Sequence, residues 1–183
     1  MIIYIHGYNS AGGGDKYLKL KQMFPEIPIY SPNYDSSDFI SITKLLNEIK
    51  LAENTLFIGT SLGGFIAMYL AHKYNKKAIL LNPSTNPVVN LQKALGPNTN
   101  FVTGKSYEQT KHNLNQLNHL YTSPDNLKLK IYVTQDDEVI NYKETLRFFE
   151  PTLKVTILEN GGHRFENIER LKTEILDFYK EEN

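Results

Sequence analysis

Six short apolar runs, separated by segments with helical spacing, constrain the fold of this chain more than any other feature. The runs are continuous rather than alternating in hydrophobicity, which is typical of strands covered on both faces. Strands that alternate with helices predict a parallel sheet with right-handed crossovers and helices on both faces. The predicted strands are Ile2–Ile5, Ile27–Tyr30, Thr55–Ile58, Lys77–Leu81, Leu129–Thr134 and Lys154–Leu158.

The segments between the strands carry apolar residues on one face of a helix, or, in one case, on all faces. We expect an α/β fold with a six-stranded, mostly parallel sheet in the order 2-1-3-4-5-6, the strands being numbered along the chain. At 183 residues the chain suits one domain, 1–183. The predicted helices are Asp15–Phe24, Ser37–Lys50, Leu62–Tyr74, Tyr142–Phe149 and Phe165–Tyr179.

The polar, Asn-rich segment 82–128 interrupts the alternation of strands and helices between the fourth and fifth predicted strands. Long insertions in compact domains are commonly lids or binding regions, and a decorated surface loop with one ordinary helix is the alternative. The pattern predicts a helix over Tyr107–Leu120. The larger apolar residues of the insertion either line an acyl pocket or pack as core; they include Phe101, Tyr107, Leu114 and Tyr121.

Charge and composition narrow the partners and the chemistry. Lys plus Arg and Asp plus Glu each total 20, so no bulk field favours nucleic acid or an anionic membrane as a partner. The absence of cysteine excludes disulfides and Cys-based nucleophiles or metal sites. No run approaches the roughly 20 apolar residues of a membrane span, and the opening apolar run lacks the pattern of a secretory signal. We expect a cytoplasmic protein, and its oligomeric state stays open.

The segment Gly59-Thr60-Ser61-Leu62-Gly63 fits the pattern G-x-S-x-G. It follows an apolar strand and opens a helical run, which is the strand–turn–helix context of a nucleophilic serine. A strained turn between small residues projects the hydroxyl above the carboxyl ends of the strands. A Gly-rich turn in which Ser61 only caps the helix is the alternative.

A serine hydroxyl needs a base, and His163 is the candidate. It lies between the last predicted strand and the last helix, behind two glycines that let the loop reach back over the sheet. The order serine, acid, histidine along the chain is also that of this type of site. His72 suits a helix surface, and His112 and His119 lack acidic neighbours at the spacing of a metal site.

Three adjacent acids follow the fifth predicted strand: Asp136, Asp137 and Glu138. Asp137 is preferred, because one variable residue and then aliphatic residues follow it, as is usual for the acid of such a site. Its role would be to orient the imidazole and stabilise the imidazolium. Asp136 and Glu138 remain candidates, and capping of the next helix is the alternative role for these acids.

The end of the first strand reads Ile5-His6-Gly7-Tyr8. A His-Gly pair at this place supplies half of an oxyanion hole in lipases and esterases, so we expect the backbone N–H groups of Tyr8 and Leu62 to bind a developing oxyanion. His6 is interpreted as a structural hydrogen-bonding residue. The glycines that follow, 12–14, lack the G-K-[ST] ending of a phosphate-binding loop.

With these residues in place, the chain resembles the YqiA/YcfP family of small bacterial α/β-hydrolases. The resemblance runs over most of the chain and includes MIIYIHGYNS, IGTSLGGFIAMYLA, LLNPSTNP, LGPNTNFVTGKSY, QDDEVINY and LENGGHRFENIE. It implies a minimal α/β-hydrolase fold, esterase or thioesterase activity and a triad of Ser61, Asp137 and His163. The chain departs from its relatives at Asp136, where they often carry glycine.

The expected reaction is hydrolysis of a small-molecule carboxylic ester or thioester through an acyl-enzyme on Ser61, without cofactor or metal. The same residues would serve a peptidase, a lactonase or an acyltransferase. A binding protein that has kept the fold without turnover is the alternative from another class.

Overall fold

A parallel β-sheet forms the centre of the molecule in the computed structural model, which describes residues 1–101, 104–150 and 152–181. The described strands form a six-stranded sheet and a separate two-stranded antiparallel sheet, the latter made of β5 and β6. The strands are β1 Ile2–Ile5, β2 Ile29–Tyr30, β3 Leu56–Thr60, β4 Lys77–Leu81, β5 Gly96–Thr99, β6 Ser106–Gln109, β7 Leu129–Thr134 and β8 Val155–Leu158.

Helices cover both faces of the large sheet, and short 3₁₀ turns lie at 92–94, 117–120 and 168–171. Among the described residues, none of these helices has both the length and the apolar character that a membrane crossing needs. The α-helices are α1 Asp15–Met23, α2 Phe39–Glu48, α3 Leu62–Tyr74, α4 Pro87–Asn90, α5 Lys111–Gln116, α6 Tyr142–Phe149 and α7 Lys172–Lys180.

The strand order of the large sheet is β2-β1-β3-β4-β7-β8, and every pairing is parallel. This confirms the predicted fold class and order, since β7 and β8 are the fifth and sixth predicted strands. The chain leaves β1 towards β2 at one side and returns to β3 at the other, so the order reverses at the β1–β3 pair. Such a switch point opens a crevice at the carboxyl ends of the two strands.

The core has two layers because successive side chains of a strand point to opposite faces. Along β1, Ile3 and Ile5 belong to the cluster under α2, α3 and α6, whereas Ile2 and Tyr4 belong to the cluster under α1 and α7. All four are buried. The sheet is therefore held on both sides, and loops at its carboxyl edge start from a rigid platform.

The last predicted helix, Phe165–Tyr179, begins later than expected. Phe165 has a φ of 54°, a left-handed conformation that cannot start a right-handed helix. The amides of Phe165 and Glu166 instead close turns onto the carbonyls of Gly162 and Gly161. A 3₁₀ turn follows at Ile168–Leu171, and the α-helix covers only Lys172–Lys180.

The insertion 82–128 holds two kinds of structure. The predicted helix Tyr107–Leu120 is wrong at its start, because Tyr107 lies in β6 opposite Asn98, and the Thr110 side chain caps α5 by accepting a hydrogen bond from the Asn113 amide. The helical part packs against the main core through Leu114, Leu117 and Leu120. Val102 and Thr103, which belong to the resemblance quoted above, lie outside the described residues.

Candidate active site

Ser61 occupies the turn between β3 and α3, at the carboxyl edge of the sheet beside the switch point. Its backbone has φ 57° and ψ −124°, a conformation that non-glycine residues rarely adopt. The surrounding structure holds it there: the Ser61 amide donates to the Leu81 carbonyl, and the Ser61 carbonyl accepts from the amides of Gly64 and Ser84. The strained turn leaves the hydroxyl free to project from the sheet.

The two glycines of the motif permit a close backbone crossing. A Cβ on Gly59 would collide with the carbonyl of Gly63, and a Cβ on Gly63 would collide with the carbonyls of Ile5 and His6. The obstacles are backbone atoms, which cannot rotate away. Glycine is therefore required at both positions for α3 to begin directly above β1 and β3.

His163 and Asp137 complete a chain of contacts that leads to the Ser61 hydroxyl. His163 Nε2 lies 3.0 Å from Ser61 Oγ, and His163 Nδ1 lies 2.9 and 3.0 Å from the two oxygens of Asp137. A carboxylate can only accept, so Nδ1 carries the proton and Nε2 is left as the acceptor for the hydroxyl. The Asp137 side chain is 2 % exposed and that of His163 is 17 % exposed.

Asp137 is also held by the backbone that follows it. Its Oδ1 accepts hydrogen bonds of 2.8 Å from the amides of both Val139 and Ile140. These bonds use the residues whose aliphatic character singled out Asp137 in the sequence. They orient the carboxylate towards the imidazole, which lies on a loop of a different strand.

The neighbouring acids both hold the His163 loop by its backbone. Asp136 accepts from the amides of Gly161 and Gly162 at 3.1 and 2.9 Å, and Glu138 accepts from the amide of His163 at 3.0 Å. The bond from Gly162, then that from Gly161, lowers the pKa of Asp136 below its ordinary value. Neither acid reaches the imidazole, and α6 is capped by Asn141 rather than by Asp136.

Asn82 is a site residue that the sequence analysis did not identify. It lies just after β4, is 1 % exposed and has a φ of 43°. Its Oδ1 accepts from the Thr134 amide at 2.8 Å, and its Nδ2 donates to the Gly162 carbonyl at 2.9 Å. Asn82 thus ties the ends of β4 and β7 to the histidine loop. Its position directly after a strand and before a proline was the available signal.

The backbone amides of Tyr8 and Leu62 have no hydrogen-bond acceptor within the described parts of the chain. Leu62 opens α3, where the first amides of a helix lack internal partners. Tyr8 lies in the loop after β1, beside Gly7, whose position for a Cβ is 3.4 Å from Ser61 Cβ. Both amides belong to the loops that border the Ser61 hydroxyl.

The Tyr8 side chain joins this loop to the hairpin of the insertion. Tyr8 Oη donates to Gln109 Oε1 at 2.9 Å and accepts from Tyr107 Oη at 2.8 Å. Burial, more than the contact with Tyr107, raises the pKa of Tyr8 well above its ordinary value, so the phenol stays a neutral hydrogen-bonding group. Asn9 adds a bond from its Nδ2 to the Thr99 carbonyl at 3.0 Å.

A cleft of about 750 Å³ opens over these residues and is lined by both Ser61 and His163. Such a volume is typical of sites for small molecules. Of the larger residues of the insertion, Phe101 lines the cleft and is 82 % exposed, whereas Leu114 is buried in the core. Leu114 therefore packs as core, whereas Phe101 lies at the cleft.

The other histidines lie apart from this chain of contacts. His6 is buried and stacked on Tyr34, with its Nδ1 3.0 Å from the Gly7 carbonyl, and burial lowers its pKa. His72, His112 and His119 are exposed. No group of His, Asp and Glu within the described residues has the arrangement of a metal site.

Comparison with known proteins places the chain among its relatives. The model of "Uncharacterised protein family (UPF0227)" matches residues 1–180. The chain belongs to this family. The UPF0227 chain is 22% identical over 175 residues to the UPF0227 protein YcfP of Escherichia coli strain HS, covering 92% of each. The resemblance to the YqiA/YcfP family is thereby confirmed.

Solved structures show that the UPF0227 chain has the α/β-hydrolase fold. Alpha/beta hydrolase domain-containing protein 10 from mouse superposes with a TM-score of 0.72 at 18% identity, over 96% of this chain and 88% of that protein. Est1E from Butyrivibrio proteoclasticus gives 0.66 at 15%, over 98% and 88%. The Pyrococcus furiosus esterase Pf2001 gives 0.63 at 14%, over 98% and 79%.

Proposed function

We propose that this protein is a serine hydrolase that cleaves carboxylic esters or thioesters through an acyl-enzyme on Ser61. The contact of 3.0 Å between Ser61 Oγ and His163 Nε2 carries this proposal. A hydroxyl alone is a weak nucleophile, and an imidazole that accepts its proton is the usual activator. The esterases among the structural neighbours agree with this reaction class.

In the first half of the reaction, Ser61 Oγ attacks the carbonyl carbon while His163 Nε2 takes its proton. Asp137 accepts the hydrogen bond from Nδ1–H, so the proton stays on Nδ1. The carboxylate stabilises the imidazolium without being protonated itself. The amides of Tyr8 and Leu62 donate to the oxygen that becomes negative; one such donor is typically worth about 10²–10³ in rate. His163 then protonates the leaving alcohol or thiol.

In the second half, a water molecule replaces the leaving group beside His163. The imidazole takes a proton from this water as it attacks the carbonyl carbon of the acyl-Ser61 ester. His163 Nε2 then gives that proton to Ser61 Oγ as the bond between Oγ and the acyl carbon breaks, and the acid is released. Every proton transfer runs between His163 and Ser61, the leaving group or the attacking water. The cleft above Ser61 supplies the space for a small acyl substrate.

The proposal is tested by labelling with a fluorophosphonate and by hydrolysis of 4-nitrophenyl butyrate and a butyryl thioester. We expect covalent labelling that is lost in Ser61→Ala, together with a fall in kcat of up to about 10⁶, the scale of nucleophile removal in a serine protease. Ser106→Ala, at an exposed position of β6, is the matched control and keeps full activity.

Absence of both labelling and turnover above Ser61→Ala would contradict the proposal and favour a binding protein. Cleavage of amides, or transfer of the acyl group to an added alcohol in preference to water, would instead assign the same residues to a peptidase or an acyltransferase. Labelling that survives Ser61→Ala would show that the nucleophile is a residue other than Ser61.

A further inference from the structure

Lys16 is a cation of the cleft that the proposed reaction does not use. It lies in the first turn of α1, is partly buried and lines the same cleft as Ser61 and His163. Among the described residues it makes no ion pair within 4.0 Å and no side-chain hydrogen bond. A partly desolvated ammonium without a partner is costly, because burial removes water that nothing replaces.

The acids of the cleft offset the charge of Lys16 only in part. Asp15 lies 3.5 Å from Lys19 rather than pairing with Lys16. Glu138 bonds the His163 amide, and Glu166 is exposed to solvent, where its charge is screened. The negative charges are thus engaged elsewhere or hydrated, while Lys16 lines the cleft with no ion pair to any described residue.

Arg164 is another cation of the cleft lining. It directly follows His163, lines the cleft and is exposed, without an ion pair in the described parts of the chain. Burial, first, and then the positive charges of Lys19 and Arg164 outweigh Asp15 and Glu166 and lower the pKa of Lys16 to about 8. Lys16 is still mostly protonated at pH 7. Three cations among the described residues therefore line the cleft, and Lys19 is the one of them that is paired, with Asp15 and Glu169.

We propose that Lys16 and Arg164 form a subsite for an anionic group, a carboxylate or a phosphate, on the ester or thioester that Ser61 attacks. This subsite rests on the proposed function and would define the substrate class of that reaction as anionic esters or thioesters. A bound anion would restore the interactions that burial removes from the ammonium. Arg164 would contribute the planar, two-pronged geometry that suits both carboxylate and phosphate, and Lys16 a point charge.

The test compares neutral and anionic esters of matched shape. Phenyl acetate, 4-acetoxybenzoate and 4-acetoxyphenyl phosphate place the charge on the leaving group, and 4-nitrophenyl hexanoate with mono-4-nitrophenyl adipate places it on the acyl chain. We expect the ratio of kcat/KM for an anionic ester to that of its neutral partner to fall at least tenfold in Lys16→Met and in Arg164→Gln. The carboxylate and phosphate compounds distinguish the two anions.

Two further variants separate charge from packing. Lys16→Arg should keep most of the selectivity, and Lys44→Met, at an exposed position on α2, should leave it unchanged. Equal losses on neutral and anionic esters in Lys16→Met and Arg164→Gln would overturn the subsite. So would a wild-type enzyme that hydrolyses neutral esters at least as well as every anionic partner.

Calorimetric titration with benzoate and with inorganic phosphate tests the subsite without turnover. Binding that is weakened at least tenfold by Lys16→Met supports it even if Ser61 proves inactive, in which case only the proposed reaction fails. Esters hydrolysed through Ser61 without any anion selectivity, and no titratable anion binding, would leave the reaction standing and remove the subsite.

Discussion

Asp136 accepts a hydrogen bond of 2.9 Å from the amide of Gly162, the residue immediately before His163. The acid next to the proposed triad member thus holds the histidine loop by its backbone while Asp137 holds the imidazole. Because the two adjacent carboxylates have different partners, the same substitution at Asp136 and at Asp137 should have different effects.

Asp137→Asn should lower kcat by about 10⁴ with little loss of fold, the size of effect known for the equivalent change in a serine protease. The asparagine oxygen would stay with the amides of Val139 and Ile140, so its NH₂ would take the place of Oδ2, 3.0 Å from His163 Nδ1, where a donor favours the tautomer without a proton on Nδ1. Nε2 would then carry the proton and could not accept one from Ser61. Steady-state kinetics measure the loss, and Asp136→Asn is the matched control; equal losses in both would contradict this assignment.

Asp136→Ala should loosen the loop and lower kcat/KM about three- to tenfold, since it removes the acceptors of both the Gly161 and the Gly162 amides. Faster amide exchange at Gly161 and Gly162 is the direct measure, and Glu26→Ala, at an exposed position, serves as control. The folded pKa is lowered, so the stabilisation is present above the ordinary value of 3.8 and is lost as pH falls through the folded pKa. A difference in Tm that stays unchanged as the pH is lowered from 7 to well below 3.8 would count against this role.

Asn82→Ala should cost roughly 2–4 kcal/mol of unfolding free energy, because it leaves the Thr134 amide without its acceptor and removes one of the donors to the Gly162 carbonyl, the others being the Thr134 hydroxyl and the Phe165 amide. Urea unfolding measures the loss. Asn126→Ala is the matched control: Asn126 also has a left-handed backbone, φ 61°, but is exposed, so it reports the backbone strain alone. Similar losses in both variants would show that strain, and not the buried bonds, sets the cost.

Lys16→Met should be more stable than the wild type at pH 7 by about 1 kcal/mol, a figure reduced from the full pKa shift because the side chain is partly exposed. The pKa is about 8 in the folded protein against 10.5 ordinarily, so the burial penalty is complete below pH 8. It is relieved between pH 8 and 10.5, where the unfolded chain binds the proton that the folded protein has released. The Tm values of the wild type and of Lys16→Met should therefore approach each other as the pH rises from 6 to 10. A Lys16→Met variant that is less stable than the wild type at pH 7 would contradict the burial penalty.

Prediction from sequence succeeded where the determinant was local. The apolar runs of β1, β4 and β7 have the observed bounds, because continuous burial on both faces requires apolar side chains throughout. It failed where a distant partner decided. Tyr107 became a strand residue through pairing with Asn98, and Phe165 was excluded from a helix by the turn that brings His163 back over the sheet.

Within the candidate site the same division holds. Gly59, Ser61 and Gly63 could be identified because strand, turn and helix are consecutive in the chain. The roles of Asp136 and Glu138 could not, since three adjacent carboxylates leave a strand end in different directions and only the loop opposite determines what each meets. Asn82 was missed for that reason too: its partners Thr134 and Gly162 are far away along the chain.

By itself, the sequence determined the layered α/β architecture, the strand order and the turn that carries Ser61, because burial periodicity and the steric needs of a tight turn act between near neighbours. Only the tertiary structure decided which acid faces the imidazole, which ones hold its loop, and that Lys16 and Arg164 share a cleft with Ser61. Those relationships depend on how separate strand ends meet at one edge of the sheet, and short patterns along the chain do not encode that meeting.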